Sequence, residues 1–323
     1  MKTYASLGEL PVGDHRRAVA IGTFDGVHLG HRAVIALARE HGRAQGIPVM
    51  VMTFQPHPIA VLRPELRTTV LTPVDLKADL IAACGVDELL VLPFTRAFAR
   101  IRADRFVDMI ASPPIGAEIV VVGENFRFGS GGSGTTSGMR AYGRARGVEV
   151  ISPGIITSHD GKPISSTRIR RLISEGRLGE VAELLGRPHI IEGIVVPGDQ
   201  RGRALGLPTA NIEPITDTAI PGRGVYAGTA TTRHGQSTAA INVGVAPTFR
   251  VGHERDPMRI EAFLLDYDGP DLYDEPIRVQ FVARLRDEQR FADSADLIAQ
   301  ITSDIAQTRA LVGTSASGPS KHA

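Results

Sequence analysis

Ala18-Val19-Ala20-Ile21-Gly22-Thr23-Phe24-Asp25-Gly26-Val27-His28-Leu29-Gly30-His31 is the stretch that decides the fold. Its first four residues are apolar with no polar alternation, the pattern of a strand buried on both faces. A turn carrying Gly22, Gly26 and Gly30 follows, and beyond it Ala33, Val34, Leu37 and Ala38 recur on one helical face. Strand, glycine-bearing turn and helix form the opening unit of a parallel α/β sheet, whose ligands collect at the carboxyl ends of the strands. Glycines let the backbone come close to phosphate, and a helix N-terminus favours anions. Two imidazoles three residues apart in such a turn can both donate to phosphate oxygens, so His28 and His31 are candidate catalytic groups. Gly22, Phe24, Asp25 and Gly30 are candidate ligand contacts beside them. The alternative is a loop with two incidental histidines.

Working outward, Pro48–Met52, Leu89–Leu92 and Glu118–Val122 repeat the buried-strand pattern, with helical patterns between them. This predicts a Rossmann-like parallel sheet covered on both faces. The pattern changes after about residue 186. Ile191–Val196, Gly224–Gly228, Ala239–Val243, Arg259–Leu265 and Ile277–Val282 are short β-like runs punctuated by Gly and Pro, which predict an antiparallel β-barrel. A terminal helix is expected from about Ser294, with Leu297, Ile298, Ile301 and Ile305 as its apolar stripe. The expected domains are residues 1–186 and 187–312, with 313–323 a disordered tail.

A chain of 323 residues that is 42% hydrophobic can fill two cores. Its net charge of +1 argues against a nucleic-acid binder with a dense basic surface. Cys84 is the single cysteine, which excludes an intramolecular disulfide and a cysteine-based zinc site. It falls at i, i+4, i+8 with Leu76 and Leu80, so a small buried side chain is expected. No signal-peptide block or run of about 20 apolar residues appears, so no membrane association and a cytoplasmic location are expected. The sequence leaves oligomerisation open.

Three further segments belong to the first half. Ile164-Ser165-Ser166-Thr167-Arg168-Ile169-Arg170 opens a helix with hydroxyls and arginines, the ingredients of a phosphate clamp, or of a capped surface helix. Thr53-Phe54-Gln55-Pro56-His57-Pro58 and Gly123-Glu124-Asn125-Phe126-Arg127-Phe128-Gly129 follow strands, and so fall on the same rim as His28. Gly129-Ser130-Gly131-Gly132-Ser133-Gly134 matches G-x-G-x-x-G but does not leave its strand directly, so a flexible loop is expected there. His28-Leu29-Gly30-His31 with Ser165–Arg168 resembles the nucleotidylyltransferase superfamily. All these segments together resemble the FMN adenylyltransferase module of prokaryotic bifunctional FAD synthetases, over residues 15–185. The resemblance implies that His28, His31, Asn125, Ser165, Ser166, Thr167 and Arg168 handle ATP, with the Pro56–Pro58 loop near the flavin. Many members carry an acidic residue just after the glycine run, where this chain has Thr135 and Thr136.

The second half has no Walker A sequence. It carries Gly198-Asp199-Gln200-Arg201-Gly202-Arg203-Ala204-Leu205-Gly206-Leu207-Pro208-Thr209-Ala210-Asn211 instead. Spaced glycines can wrap a polyphosphate, and Thr209 and Asn211 offer the hard oxygen ligands that Mg²⁺ prefers. This string, Gly224–Gly228, Asn242–Phe249 and Arg284–Phe291 resemble the riboflavin kinase domain, over residues 187–310. The resemblance implies Gly198, Gly202, Gly206 and Pro208 around ATP, Thr209 and Asn211 on Mg²⁺, and Glu261 as the catalytic acid–base group. Alternation alone makes Glu261 a surface-facing residue between buried Ile260 and Ala262.

The two resemblances imply an enzyme that phosphorylates riboflavin to FMN and adenylates FMN to FAD, using ATP each time. Two other readings remain. One is a nucleotidylyltransferase for a different phosphorylated precursor. The other is a flavin-binding regulatory paralogue with a weakened adenylyltransferase site.

Overall fold

The computed structural model describes residues 1–13, 15–198, 209–245 and 258–316. The chain divides into two units, Met1–Ser166 and Thr167–Ala323.

The first unit runs β1 (Lys2–Tyr4), β2 (Arg17–Ile21), α1 (Leu29–Gln45), β3 (Val49–Gln55), α2 (Pro58–Leu62), α3 (Val74–Ala82), β4 (Glu88–Pro93), α4 (Ala103–Ala111), β5 (Ala117–Val122), β6 (Arg127–Phe128), β7 (Gly134–Thr135), α5 (Thr136–Arg144) and β8 (Glu149–Ile151). Its main sheet is parallel throughout, in the order β1-β4-β3-β2-β5-β8. Both faces are buried, as the unbroken apolar runs require. Val19, Ile21, Met50 and Met52 pack with Phe106, Val107 and Ile110 of α4 on one side. Ala18, Ala20, Val49 and Val51 pack with Val34, Ile35 and Ala38 of α1 on the other. The chain steps outward from β2 through β3 to β4, then returns to the far side of β2 with β5. That reversal opens a crevice at the carboxyl ends of β2 and β5. At the opposite end Arg17, 1% exposed, pairs with Glu88 and donates to the carbonyls of Pro114 and Ile115 at 2.8 Å.

The glycine run after β6 is a folded turn rather than an open loop. Ser130 N–H donates to Ile101 O at 2.7 Å, and Gly129, at φ 71°, leaves no room for a Cβ, which would lie 2.7 Å from the Ala103 backbone. Cys84, expected to be buried, is half-buried just past the end of α3, its thiol donating to Leu80 O at 3.3 Å.

The second unit continues α6 (Ser166–Ser174), which begins at the division, and holds α7 (Leu178–Leu185), β9 (His189–Val196), β10 (Thr209–Pro214), β11 (Gly224–Thr232), β12 (Gly235–Val245), β13 (Met258–Leu264), β14 (Pro276–Arg286) and α8 (Ser294–Ala316). The six strands close into an antiparallel barrel, β10-β13-β12-β11-β14-β9. Cross-strand register puts Ile212, Ile260, Val243, Tyr226, Ile241, Ala262, Val279 and Phe281 inside, all buried. Gly228 is required where it stands, because a Cβ there would fall 2.0 Å from Gln280 O. On α8 the inward face is Leu297, Ile301, Asp304, Ile305, Thr308 and Val312; Ile298, expected in the apolar stripe, is 44% exposed. The helix runs past Gly313 to Ala316, and residues 317–323 lie outside the described residues.

Candidate active sites

The first site lies in the switch-point crevice. His28 is the N-cap of α1, and its Nδ1 accepts from the His31 N–H at 3.2 Å. That bond fixes the neutral ring's proton on Nε2. The two imidazoles stack with centroids 3.6 Å apart and 14° between planes, and Phe24 meets His31 edge-on at 5.3 Å. Burial lowers His28 to about 4. His31 sits well below the usual histidine range, through burial first and then the neighbouring His28 and Lys77 charges. Both rings are therefore neutral near pH 7, and His31 Nδ1 is buried without a hydrogen-bond partner among the described residues.

A cavity of about 340 Å³ opens over this pair. Its walls bring together Gly22, Phe24, His28, Gly30 and His31 with Asn125, Ser165 and Ser166, eight of the positions singled out from sequence. Gly30 lies under the His28 ring, where a Cβ would come within 3.1 Å of Cε1.

Asp25 is placed differently from expectation. It is 1% exposed, and its carboxylate accepts from Leu71 N–H at 2.8 Å and Thr72 N–H at 3.3 Å. It braces the turn from behind instead of lining the cavity. Ser166 likewise donates its hydroxyl to the Asp25 carbonyl at 2.8 Å. Phe24 and Val27 hold φ of 46° and 42°, strained values for side chains of that size, which explains so many braces on one turn. Thr167 and Arg168 belong to α6 in the second unit. His57 caps α2, its Nδ1 accepting from Ile59 N–H at 3.2 Å.

Two features here were not singled out from sequence. Lys77 of α3, 4% exposed, donates to the Thr23 carbonyl at 3.0 Å, and burial lowers its affinity for its proton against the opposing charge of Asp25. A helical face predicts a solvated lysine there, and only the fold folds it under the turn. The second is a chain of phenylalanine rings, Phe54, Phe94, Phe98, Phe106, Phe128 and Phe126, with successive centroids 5.4–6.3 Å apart. Phe54, Phe94 and Phe126 sit at the carboxyl ends of β3, β4 and β5, and Phe94, Phe98 and Phe126 stay half-exposed. Thr135, the first of the two residues at which the chain departs from its resemblance, is the N-cap of α5 and accepts from Gly138 N–H at 3.1 Å, a cap a carboxylate also makes.

The second site lies on the outer face of the barrel. Register aligns Asn211 of β10, Glu261 of β13 and Asn242 of β12 across three neighbouring strands. Thr209 and Phe263 pair one step along. Glu261 thus faces outward between buried Ile260 and Ala262, as alternation alone suggested, yet it lines a cavity of about 340 Å³ roofed by Leu297, Ile301 and Asp304 of α8. Its side chain is 29% exposed and lies 3.4 Å from the Arg259 guanidinium, so apolar enclosure does not describe it. The rest of this cavity is Val225, Ala240, Phe263 and Phe291 with Arg286, Glu288 and Gln289. Asp304, 3% exposed, holds Arg286 through both carboxylate oxygens at 2.7–3.1 Å, and Arg286 also lies 5.8 Å over the Phe291 ring.

A second cavity of about 230 Å³ shares Thr209 with the first and adds Gly198, Asn211, Tyr267 and the 269–273 loop. Asn211 Oδ1 is buried and has no hydrogen-bond partner among the described residues. A Cβ on Gly198 would fall 2.0 Å from Asn211 Nδ2, so only glycine leaves that amide in place. An orphaned carbonyl oxygen beside a threonine hydroxyl, on one strand face, fits a hard divalent cation. Gly202, Gly206 and Pro208 lie outside the described residues.

Comparison with known proteins covers both halves of the chain. The family model for FAD synthetase matches residues 11–168, and that for riboflavin kinase matches residues 185–312. A Listeria monocytogenes bifunctional riboflavin kinase/FMN adenylyltransferase is 37% identical, over 92% of this chain and 93% of the relative. The chain belongs to the bifunctional riboflavin kinase/FMN adenylyltransferase family. A second family member, from Escherichia coli K12, is 35% identical over 91% of this chain and 92% of its own. A solved Streptococcus pneumoniae protein described as a macrolide-efflux protein superposes with a TM-score of 0.83 at 30% identity, covering 95% of this chain and 98% of that one. Efflux is said of that protein; no helix among the described residues here is long and apolar enough to cross a membrane. The family's two domains occur in this chain in the order expected from sequence, and nothing in the comparisons favours the regulatory reading.

Proposed function

We propose that this chain phosphorylates riboflavin to FMN on its barrel and adenylates FMN to FAD in its α/β domain, each time with ATP. Residues 1–186 carry adenylyl transfer and residues 187–312 the kinase. The observation that carries the reading is that the chain belongs to a family whose members bear both names, with His28, His31, Asn125 and Ser165 around one cavity and Gly198, Thr209, Asn211 and Glu261 around two cavities that share Thr209. A cytoplasmic location suits these substrates.

In the kinase site, the apolar walls Val225, Ala240, Phe263, Phe291, Leu297 and Ile301 suit the flat flavin ring, and Glu261 stands among them. Glu261 accepts the proton of the riboflavin 5′-hydroxyl as that oxygen bonds to the γ-phosphorus and the bond to the ADP oxygen breaks. The cavity with Gly198, Thr209 and Asn211 takes the nucleotide, with Gly202, Gly206 and Pro208 continuing the phosphate-binding string. Thr209 and Asn211 would hold Mg²⁺ with the nucleotide, where the ion would supply charge neutralisation for the phosphates. Thr209, common to both cavities, sets the two substrates side by side.

In the adenylyl-transfer site the FMN phosphate is already an anion and attacks the α-phosphorus of ATP directly. The bond to pyrophosphate breaks, and the departing group needs donors rather than a base. His28 offers Nε2–H, with His31 stacked beside it at the N-terminus of α1, an anion-favouring position. Asn125 and Ser165 stand in the same cavity, while Gly22, Phe24 and Gly30 shape its floor. Ser166 and Asp25 hold the turn; Thr167 and Arg168, phosphate-binding candidates from sequence, belong to α6 of the second unit. The half-exposed Phe94 and Phe98 rings give the flavin a stacking surface on the same rim.

The test is to incubate the protein with riboflavin, ATP and Mg²⁺ and resolve the products by chromatography. FMN followed by FAD is expected. Absence of any new flavin overturns the reading, FMN alone removes its adenylyl-transfer half, and a requirement for supplied FMN removes its kinase half.

A further inference from the structure

Thr136 follows the glycine run, in the region where the chain departs from its resemblance, and the mechanism above does not use it. It is 2% exposed and not among the residues lining the first cavity, yet its hydroxyl lies 3.1 Å from the Gly123 carbonyl and 3.0 Å from the Glu124 carbonyl. Those carbonyls belong to the turn leaving β5, closed by a Phe126 N–H bond to Gly123 O at 3.0 Å. The turn presents Asn125 and Phe126 to the first cavity. One helical turn further along α5, Arg140 reaches Glu124 at 3.8 Å, so the helix ties the turn at two points. Of the two, the exposed Arg140 pair is worth little, whereas the Thr136 bond is shielded from water. A hydroxyl can donate to a carbonyl and an ionised carboxylate cannot, so this tie requires a donor at residue 136.

We propose that Thr136 is a positioning residue for ATP in the adenylyl-transfer site, its hydroxyl holding the Gly123–Phe126 turn so that Asn125 meets the nucleotide. The inference rests on the assignment of that cavity to adenylyl transfer. Freed of the tie, the turn samples other conformations. Nucleotide binding then has to order it again, which raises KM for ATP and leaves the chemical step unaltered once ATP is bound.

The test compares Thr136→Val, which keeps the shape and loses the donor, with Thr136→Ser, which keeps the donor. In the full chain, with FMN and ATP supplied, Thr136→Val is expected to raise KM for ATP about five- to tenfold, the worth of one shielded hydrogen bond. KM for FMN and kcat are expected to stay within about twofold, and Thr136→Ser to remain within about twofold of the parent. KM for ATP in the riboflavin kinase reaction of the same preparation is the internal control and stays unchanged. If Thr136→Val does not fold, Thr136→Ala loses the same donor with less bulk and gives the same readout. The proposal is overturned by an unchanged KM for ATP in the donor-less variant. An equal rise in the serine variant, or a parallel rise for ATP and FMN that signals general loosening, also overturns it. A parent protein that forms no FAD from FMN refutes the cavity assignment instead.

Discussion

Replacing His28 by asparagine separates two things the imidazole does, capping α1 and resisting protonation. Burial holds the ring at about 4 against an ordinary 6.5. Between those values the unfolded chain takes up a proton that the folded site refuses, so stability is lost as pH falls through this window and levels off below it. The loss is about 1.4 kcal/mol for each pH unit, about 2 kcal/mol by pH 5 and about 3.4 kcal/mol when complete. Asparagine is a favoured N-cap whose side-chain oxygen can take over the bond from the His31 N–H. The variant should therefore match the parent near neutral pH and lose about 2 kcal/mol less on going to about pH 5. His31, shifted the same way chiefly by burial, keeps that burial share in both proteins. Hydrogen exchange of peptides from α1, corrected for intrinsic rates, reads the opening free energy of this unit alone. An equal acid loss in parent and variant would mean that His28 is not held neutral by burial, and the picture of a neutral donor pair would fail with it.

Gly198→Ala should abolish FMN formation while FAD formation from supplied FMN persists, since the new Cβ displaces Asn211; unaltered kinase activity would place the cation ligands elsewhere. Arg17→Met leaves Glu88 buried and uncompensated and should cost about 3–5 kcal/mol in denaturant unfolding, far from either cavity. A loss under about 1 kcal/mol would show that solvent reaches Glu88. Asp304→Asn should raise KM for riboflavin in the kinase reaction by loosening Arg286 and the α8 roof, without altering FAD formation from FMN. No change in KM would detach that ion pair from the flavin cavity.

What the sequence made legible follows from the period of its patterns. Runs such as Ile119–Val122 are buried on both faces and announce a parallel strand without help. Lys2–Tyr4 and Glu149–Ile151, the sheet edges, are short and half polar and carry no such signal. Thr209–Pro214 reads as ligand-bearing string and is in fact β10, the strand that closes the barrel, because its outward side chains are the polar ones. His28 and His31 were legible since their spacing is local. The Phe54-to-Phe126 ring chain and the Arg286–Asp304 pair bring together distant segments, and no local pattern encodes them. Asp25 shows the converse limit, since a carboxylate in a phosphate-binding turn looks like a ligand contact until burial shows it holding Leu71 and Thr72.

The central claim is two independent chemistries on two domains, and product analysis of paired variants tests it most directly. Glu261→Gln, given riboflavin and ATP, should form no FMN, yet should form FAD when FMN is supplied. His28→Ala should convert riboflavin to FMN at the parental rate and stop there, its FAD formation lowered by on the order of 10²–10³ for the lost donor. A folded protein in which either substitution removes both activities would contradict the account.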